Sequence, residues 1–134
     1  VIFIDASAIV AILANESDAD RLVLILAAER DPITSPIAIL EAALAIRRKR
    51  GLTISMARQA VREFLTLANV RVVPITDADA DGAIGAFSAF GKGTGHPAQL
   101  NLGDCFAYAV AQSAHARMLC TGNDFALTDI PIAG

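Results

Sequence analysis

The chain reads as an α/β protein in which a central parallel sheet is layered between helices, and three observations predict it. Short runs of Ile, Val and Leu alternate with longer stretches of helical spacing, and turn residues mark the switches between them. Apolar residues make up 54% of the chain but aromatics only 5%, a balance suited to strands buried on both faces. Strands that alternate with helices imply βαβ connections, which are right-handed in nearly all proteins. At 134 residues the chain is expected to form one domain spanning 1–134, large enough to bury a core without disulfides or a structural metal.

Each element follows from local chemistry. Val1–Ile4 is a strand, stopped at Asp5-Ala6-Ser7, where Asp5 or Ser7 caps a helix over about 7–14. Asn15–Asp18 breaks that helix, and Ser17 or Asp18 caps a second that reaches about Ala28. Arg30-Asp31-Pro32 is a turn, Ile33–Ser35 a short strand, and Ser35-Pro36 opens a helix that ends at Gly51. A further helix covers about 54–68, with Met56, Ala60, Val61, Phe64, Leu65 and Ala68 at helical spacing and Arg58 and Arg62 on another stripe. Val70–Ile75 is a strand, and Thr76-Asp77 caps a helix whose apolar face includes Ala80, Ile84 and Phe87. Three glycines and a proline make 91–97 a loop, the segment expected to be most mobile. Asn101 caps a helix over about 102–115; Met118–Thr121 is a strand, 122–124 a turn, 125–127 a helical turn and 130–132 a candidate edge strand.

Four acids stand beside or inside apolar stretches. Asp5 closes Val-Ile-Phe-Ile, Glu41 carries the only polar side chain between Pro36 and Ile46, Asp104 opens the apolar helix after Asn101, and Asp124 follows a late strand. Each has a plain structural role open to it: helix cap, exposed helical position, dipole-stabilising first-turn acid, turn former. Together they point elsewhere. Carboxylates near an apolar interior are costly unless a positive charge compensates them, and in a parallel sheet, sites gather at the carboxyl ends of the strands. Oxygen ligands suit Mg²⁺ or Mn²⁺, and such a cation serves phosphodiester hydrolysis.

The net charge of −3 hides an asymmetry. Residues 47–71 hold seven bases (Arg47, Arg48, Lys49, Arg50, Arg58, Arg62, Arg71) against Glu63, a local charge of +6; the rest holds four bases against thirteen acids, −9. A basic rim beside an acidic site offsets the repulsion between a polyanionic substrate and the acids, which makes Arg47 and Arg48 candidate contacts to a nucleic-acid substrate. Cys105 and Cys120 read as buried small hydrophobes, not a redox or zinc pair. His96 and His115 read as loop or surface residues. No apolar run reaches the roughly 18 residues of a membrane span and no charged leader precedes Val1, so a soluble, cytoplasmic protein is expected. So much apolar surface on a small chain also favours a homodimer or a permanent partner.

The segments Phe3-Ile4-Asp5-Ala6-Ser7-Ala8, Leu40-Glu41-Ala42, Leu100-Asn101-Leu102-Gly103-Asp104-Cys105-Phe106-Ala107-Tyr108-Ala109 and Cys120-Thr121-Gly122-Asn123-Asp124-Phe125 resemble those of PIN domains. More narrowly, they resemble the VapC ribonuclease toxins of bacterial toxin–antitoxin pairs. The third segment is the most specific, and the likeness covers essentially the whole chain. The resemblance implies a three-layer α/β/α PIN-like fold and Mg²⁺- or Mn²⁺-dependent cleavage of single-stranded or looped RNA. It implies that Asp5, Glu41, Asp104 and Asp124 form the catalytic, metal-binding pocket, with Ser7, Thr121 and Asn123 as supports. It also implies a homodimer inhibited by a cognate VapB-like antitoxin. Water would attack phosphorus in line with help from one cation or two, leaving 5′-phosphate and 3′-hydroxyl ends.

Other classes fit less well. A haloacid dehalogenase-like phosphatase needs a second acid two residues after Asp5, where Ser7 stands. A phospho-acceptor domain wants paired acids near the first strand and a lysine on a late loop, and the only lysines are Lys49 and Lys92. A non-catalytic interaction module on the PIN scaffold fits better, and the intact set of acids argues against it.

Overall fold

A computed structural model describes residues 1–134. In chain order the elements are β1 (Ile2–Ile4), α1 (Ala6–Leu13), α2 (Ala19–Ala27), β2 (Pro32–Thr34), α3 (Pro36–Arg50), α4 (Ile54–Leu67), β3 (Arg71–Val72), α5 (Asp77–Phe90), α6 (Leu102–Ser113), β4 (Arg117–Leu119) and a 3₁₀ turn (Phe125–Leu127). The four strands form one all-parallel sheet in the order β3-β2-β1-β4, flanked by helices in a three-layer α/β arrangement. Strands β1, β2 and β3 step outward in one direction, and β4 then returns to the other side of β1. The strand order therefore reverses between β1 and β4, and a crevice opens at their carboxyl ends.

The core lies on the sheet. Ile2, Phe3, Ile4, Ile33, Met118 and Leu119 are fully buried, as befits parallel strands covered on both faces. Two proline positions shorten what periodicity suggested. The strand expected over Val70–Ile75 is regular only at Arg71–Val72: Val73 N–H still donates to the Thr34 carbonyl (2.9 Å), but Pro74 has no N–H to continue the ladder. The edge strand expected at 130–132 reduces to a parallel bridge between Met118 and Ile132. There the Met118 N–H meets the Pro131 carbonyl and the Ala133 N–H meets the Met118 carbonyl, both at 2.8 Å.

Helix ends largely follow the caps. Ser35, Thr53, Thr76 and Asn101 each accept a backbone N–H from the first turn of their helix. Gly51 closes α3 in the left-handed conformation (φ 63°), a backbone that favours glycine. Asp18 flanks α2 without a side-chain capping bond. The 91–97 segment is tied down by a bridge between Gly91 and Leu100 and by the His96 ring, whose Nδ1 accepts the Ala98 N–H at 3.0 Å while its edge packs on Phe90. No helix is long and apolar enough to cross a membrane.

Candidate acidic active site

The first acid sits where the chain leaves the sheet. The Asp5 N–H still pairs with the Leu119 carbonyl (3.0 Å), and its side chain then caps α1. Oδ2 accepts both the Ser7 N–H (3.1 Å) and the Ser7 hydroxyl (2.6 Å). Sequence left the cap open between Asp5 and Ser7; Asp5 takes it, because it is the last extended residue and Ser7 already lies within the first turn. Ser7 Oγ in turn accepts the Thr121 N–H (3.1 Å), fastening the end of β4 to the start of α1.

Asp104 also combines two jobs. It forms a capping box with Asn101: Asn101 Oδ1 accepts the Asp104 N–H (2.8 Å) and Asp104 Oδ2 accepts the Asn101 N–H (3.1 Å). Oδ1 of both aspartates and both oxygens of Glu41 have no protein donor, yet none is an orphaned buried atom, so all open to solvent-accessible space. Asp5, Glu41 and Asp104 line one cavity of about 510 Å³, with Ser7 and Thr121 on its wall.

Glu41 reaches this cavity over Gly103. A Cβ at position 103 would lie 2.1 Å from Glu41 Oε2 and 2.5 Å from its Cδ, so the absent side chain is what admits the carboxylate. Burial first, and then the crowding of like charges, shows in the acidities. Glu41 is pushed up to about 7, first by burial, then by Asp5 and Asp104. Asp104 rises to about 6 through burial and the charges of Asp5 and Asp124, against the Asn101 N–H, which favours its ionised form. Asp5, buried at the cavity wall, is raised by burial despite the hydrogen bonds from Ser7.

Asp124 precedes the 3₁₀ turn, exposed and outside the cavity lining, though its charge is felt at both Asp5 and Asp104. Asn123 is exposed, and only its backbone carbonyl is engaged, by the Leu127 N–H. Of the two arginines singled out from sequence, Arg48 lines the cavity and Arg47 does not. Two residues that sequence reading passed over stand beside Arg48: Lys49, and Glu16 from the loop after α1. Helical phase was the available signal for Lys49, since positions 41, 45, 48 and 49 share a face; nothing local marked Glu16. Cys120, pushed up to about 12 by burial and then by Asp5, stays a thiol.

Carboxylates are the donors here, with neither histidine nor thiolate among them, which fits a hard cation such as Mg²⁺ or Mn²⁺. No three acids, histidines or cysteines converge on one point as a finished cage. Mg²⁺ does not require one, because it commonly keeps several waters and takes one or two carboxylates.

An all-parallel sheet with acids gathered at its switch point defines a class, and the family model described as PIN domain matches residues 2–131. A VapC ribonuclease of Rhizobium meliloti is 37% identical over 139 residues, covering 96% of this chain and 98% of the relative. Ribonuclease VapC28 of Mycobacterium tuberculosis is 38% identical over 127 residues, covering 95% and 93%. The chain belongs to the VapC ribonucleases of the PIN-domain family. Among solved structures, Mycobacterium tuberculosis VapC20, described as a Sarcin-Ricin loop cleaving toxin, superposes with a TM-score of 0.76 at 19% identity, covering 97% of this chain and 96% of that one. A toxin–antitoxin complex from Klebsiella pneumoniae gives 0.68 at 16% identity, covering 94% and 91%. At these identities the two structures speak for the fold.

Proposed function

We propose that this protein is the toxin of a type II toxin–antitoxin pair, an endoribonuclease that hydrolyses RNA phosphodiester bonds at the acidic cavity with Mg²⁺ or Mn²⁺ held by Asp5, Glu41, Asp104 and Asp124. One observation carries the reading: three carboxylates from separate elements face one cavity and hold their protons to unusually high pH. Burial is the first cause of those shifts and repulsion between the acids the second, and a divalent cation would offset both by favouring the ionised carboxylates. The bound cation would supply activation of water and neutralisation of charge on the phosphodiester.

The protein's own residues do the positioning. Ser7 and the Asp104–Asn101 box each hold one carboxylate oxygen and leave the other without a protein donor, at residues that line the cavity. Glu41, free of protein hydrogen bonds, is placed by the space over Gly103. Asp124 contributes charge from the rim. Hydrolysis by water would serve RNA or DNA alike, so the preference for RNA rests on the relatives, which are named as ribonucleases.

Two surfaces suit the partners this reading entails. A groove of about 670 Å³ between α1, α2 and α4, lined mainly by apolar side chains such as Ile12, Leu26 and Phe64, would accept the apolar face of an antitoxin helix. Exposed Leu102 of α6, with Leu40 of α3 and Ile84 and Phe87 of α5, the two helices that pack on α6, would be covered in a homodimer. The site of action is the cytoplasm, where the RNA is.

Asp104→Asn tests the assignment, because Asn keeps a side-chain oxygen for the Asn101 N–H and so preserves the capping box while removing the charge. Loss of RNA cleavage with unchanged helical content is the expected result. Undiminished cleavage by the purified variant would remove Asp104 from the catalytic set.

A further inference from the structure

The cavity that holds the acids also holds two bases, and their order along α3 is informative. At about 100° per residue, Arg48 lies about 20° from Glu41 around the helix and Lys49 about 80°, while Arg47 and Arg50 lie about 120° and 180° away. Only Arg48 and Lys49 of the Arg-Arg-Lys-Arg run line the cavity. They stand roughly 10 Å along the axis from Glu41. The neighbouring bases are committed elsewhere: Arg50 donates to the Leu13 carbonyl (2.9 Å) and Arg71 forms an ion pair with Asp31 (2.9 Å).

Arg48 has no acid partner. Lys49 has one: its Nζ donates to Glu16 Oε1 at 3.0 Å, across the mouth of the cavity, with both side chains a little over two-fifths exposed. An exposed pair of this kind contributes little to stability and exchanges readily. Carboxylate and phosphate oxygens offer the same acceptor to an ammonium group. A polyanion approaching Asp5, Glu41, Asp104 and Glu16 needs local positive charge, and these two bases are what the cavity provides.

We infer that Arg48 and Lys49 bind backbone phosphates of the RNA strand beside the scissile bond, and that Glu16 occupies Lys49 as a phosphate stand-in until the strand displaces it. The inference rests on the RNA-cleaving reading and adds positioning residues to it. Glu16 then acts as a brake on substrate binding, and Arg47 has no part.

The test is binding of a fluorescent single-stranded RNA by the full-length protein carrying Asp104→Asn, so that the strand stays intact, across a salt series at fixed Mg²⁺. Lys49→Ala and Arg48→Ala should each weaken binding and reduce the slope of log affinity against log salt by about 0.7, one phosphate contact on a single strand. Arg47→Ala and Arg71→Ala should leave the slope unchanged. Glu16→Gln should tighten binding, by up to about fivefold, and that gain should vanish when Lys49→Ala is also present. A merely structural pair would lower the melting temperature equally in the Glu16 and Lys49 variants without moving the slope, which would overturn the inference. If the unmodified protein cleaves RNA and Lys49→Ala still leaves affinity and slope untouched, the inference alone falls. If the unmodified protein cleaves no RNA, the functional reading falls and takes the inference with it.

Discussion

Gly103→Ala probes the site at its tightest point. Position 103 is the second residue of α6, where alanine suits the helical backbone. The new methyl would meet Glu41 Oε2 at 2.1 Å, Cδ at 2.5 Å and Oε1 at 2.6 Å, whereas contacts under 3.0 Å are essentially never seen for a Cβ, so the carboxylate must retreat by at least 0.9 Å. Glu41 can do so without breaking a hydrogen bond, because nothing in the protein hydrogen-bonds its tip and it borders the cavity. Folding stability should therefore hold or rise by up to about 1 kcal/mol, the helical advantage of alanine over glycine. Catalysis should not survive so well. Displacing a reacting group by about 1 Å costs on the order of 10²-fold in rate. Gly85→Ala, in α5 with open space around its Cβ, is the matched control and should stabilise without slowing cleavage. The assay is the single-turnover rate on an RNA substrate at saturating Mn²⁺, paired with thermal denaturation. A Gly103→Ala protein that folds normally and cleaves within about threefold of the parent rate would refute the placement of Glu41 in the catalytic set.

In metal-free protein, Glu41 and Asp104 bind protons more tightly folded than unfolded, so stability should fall as pH rises from the unfolded carboxylate range through about 7. Glu41→Gln should then raise unfolding free energy by about 1–2 kcal/mol near pH 8, after allowance for partial exposure, and by almost nothing near pH 4. Equal gains at both ends in denaturant titrations would contradict the crowding of acids. Mn²⁺ should raise the melting temperature of the parent more at the higher pH, since its ligands must be ionised to bind. A different kind of site is Asp79, buried at the start of α5, where it accepts the Thr76 N–H (2.9 Å) and the Ser113 hydroxyl (3.0 Å) of α6. Asp79→Ala should cost about 1–3 kcal/mol in chemical denaturation, with cleavage per folded molecule unchanged.

The parts of this molecule written in local chemistry were readable before any coordinates. The first strand with its end at Ile4, the cap at Asn101 and the stop at Gly51 each depend on a few adjacent residues, and all three stand in the structure. Glu41 was conspicuous because it interrupts an apolar helix. Pro74 was also readable, as a residue unable to donate to a ladder, and it sets the short β3 that hydrophobicity alone overstated. Arg47 with Arg48 followed adjacency, whereas helical phase puts Arg48 and Lys49 on the cavity wall. Glu16 and Gly103 were of another sort. Their roles come from close approaches between segments far apart in the chain, a loop against the end of α3 and α6 under Glu41, and no local pattern encodes such distances.

Incubating the protein with a cellular RNA pool, with and without Mg²⁺ or Mn²⁺, and mapping the new ends bears most directly on whether these acids form a metal-dependent ribonuclease site. The account predicts cleavage only with the cation, ends carrying 5′-phosphate and 3′-hydroxyl, and silence from Asp104→Asn under the same conditions. Cleavage that persists after chelation, or fragments ending in 2′,3′-cyclic phosphate, would contradict it.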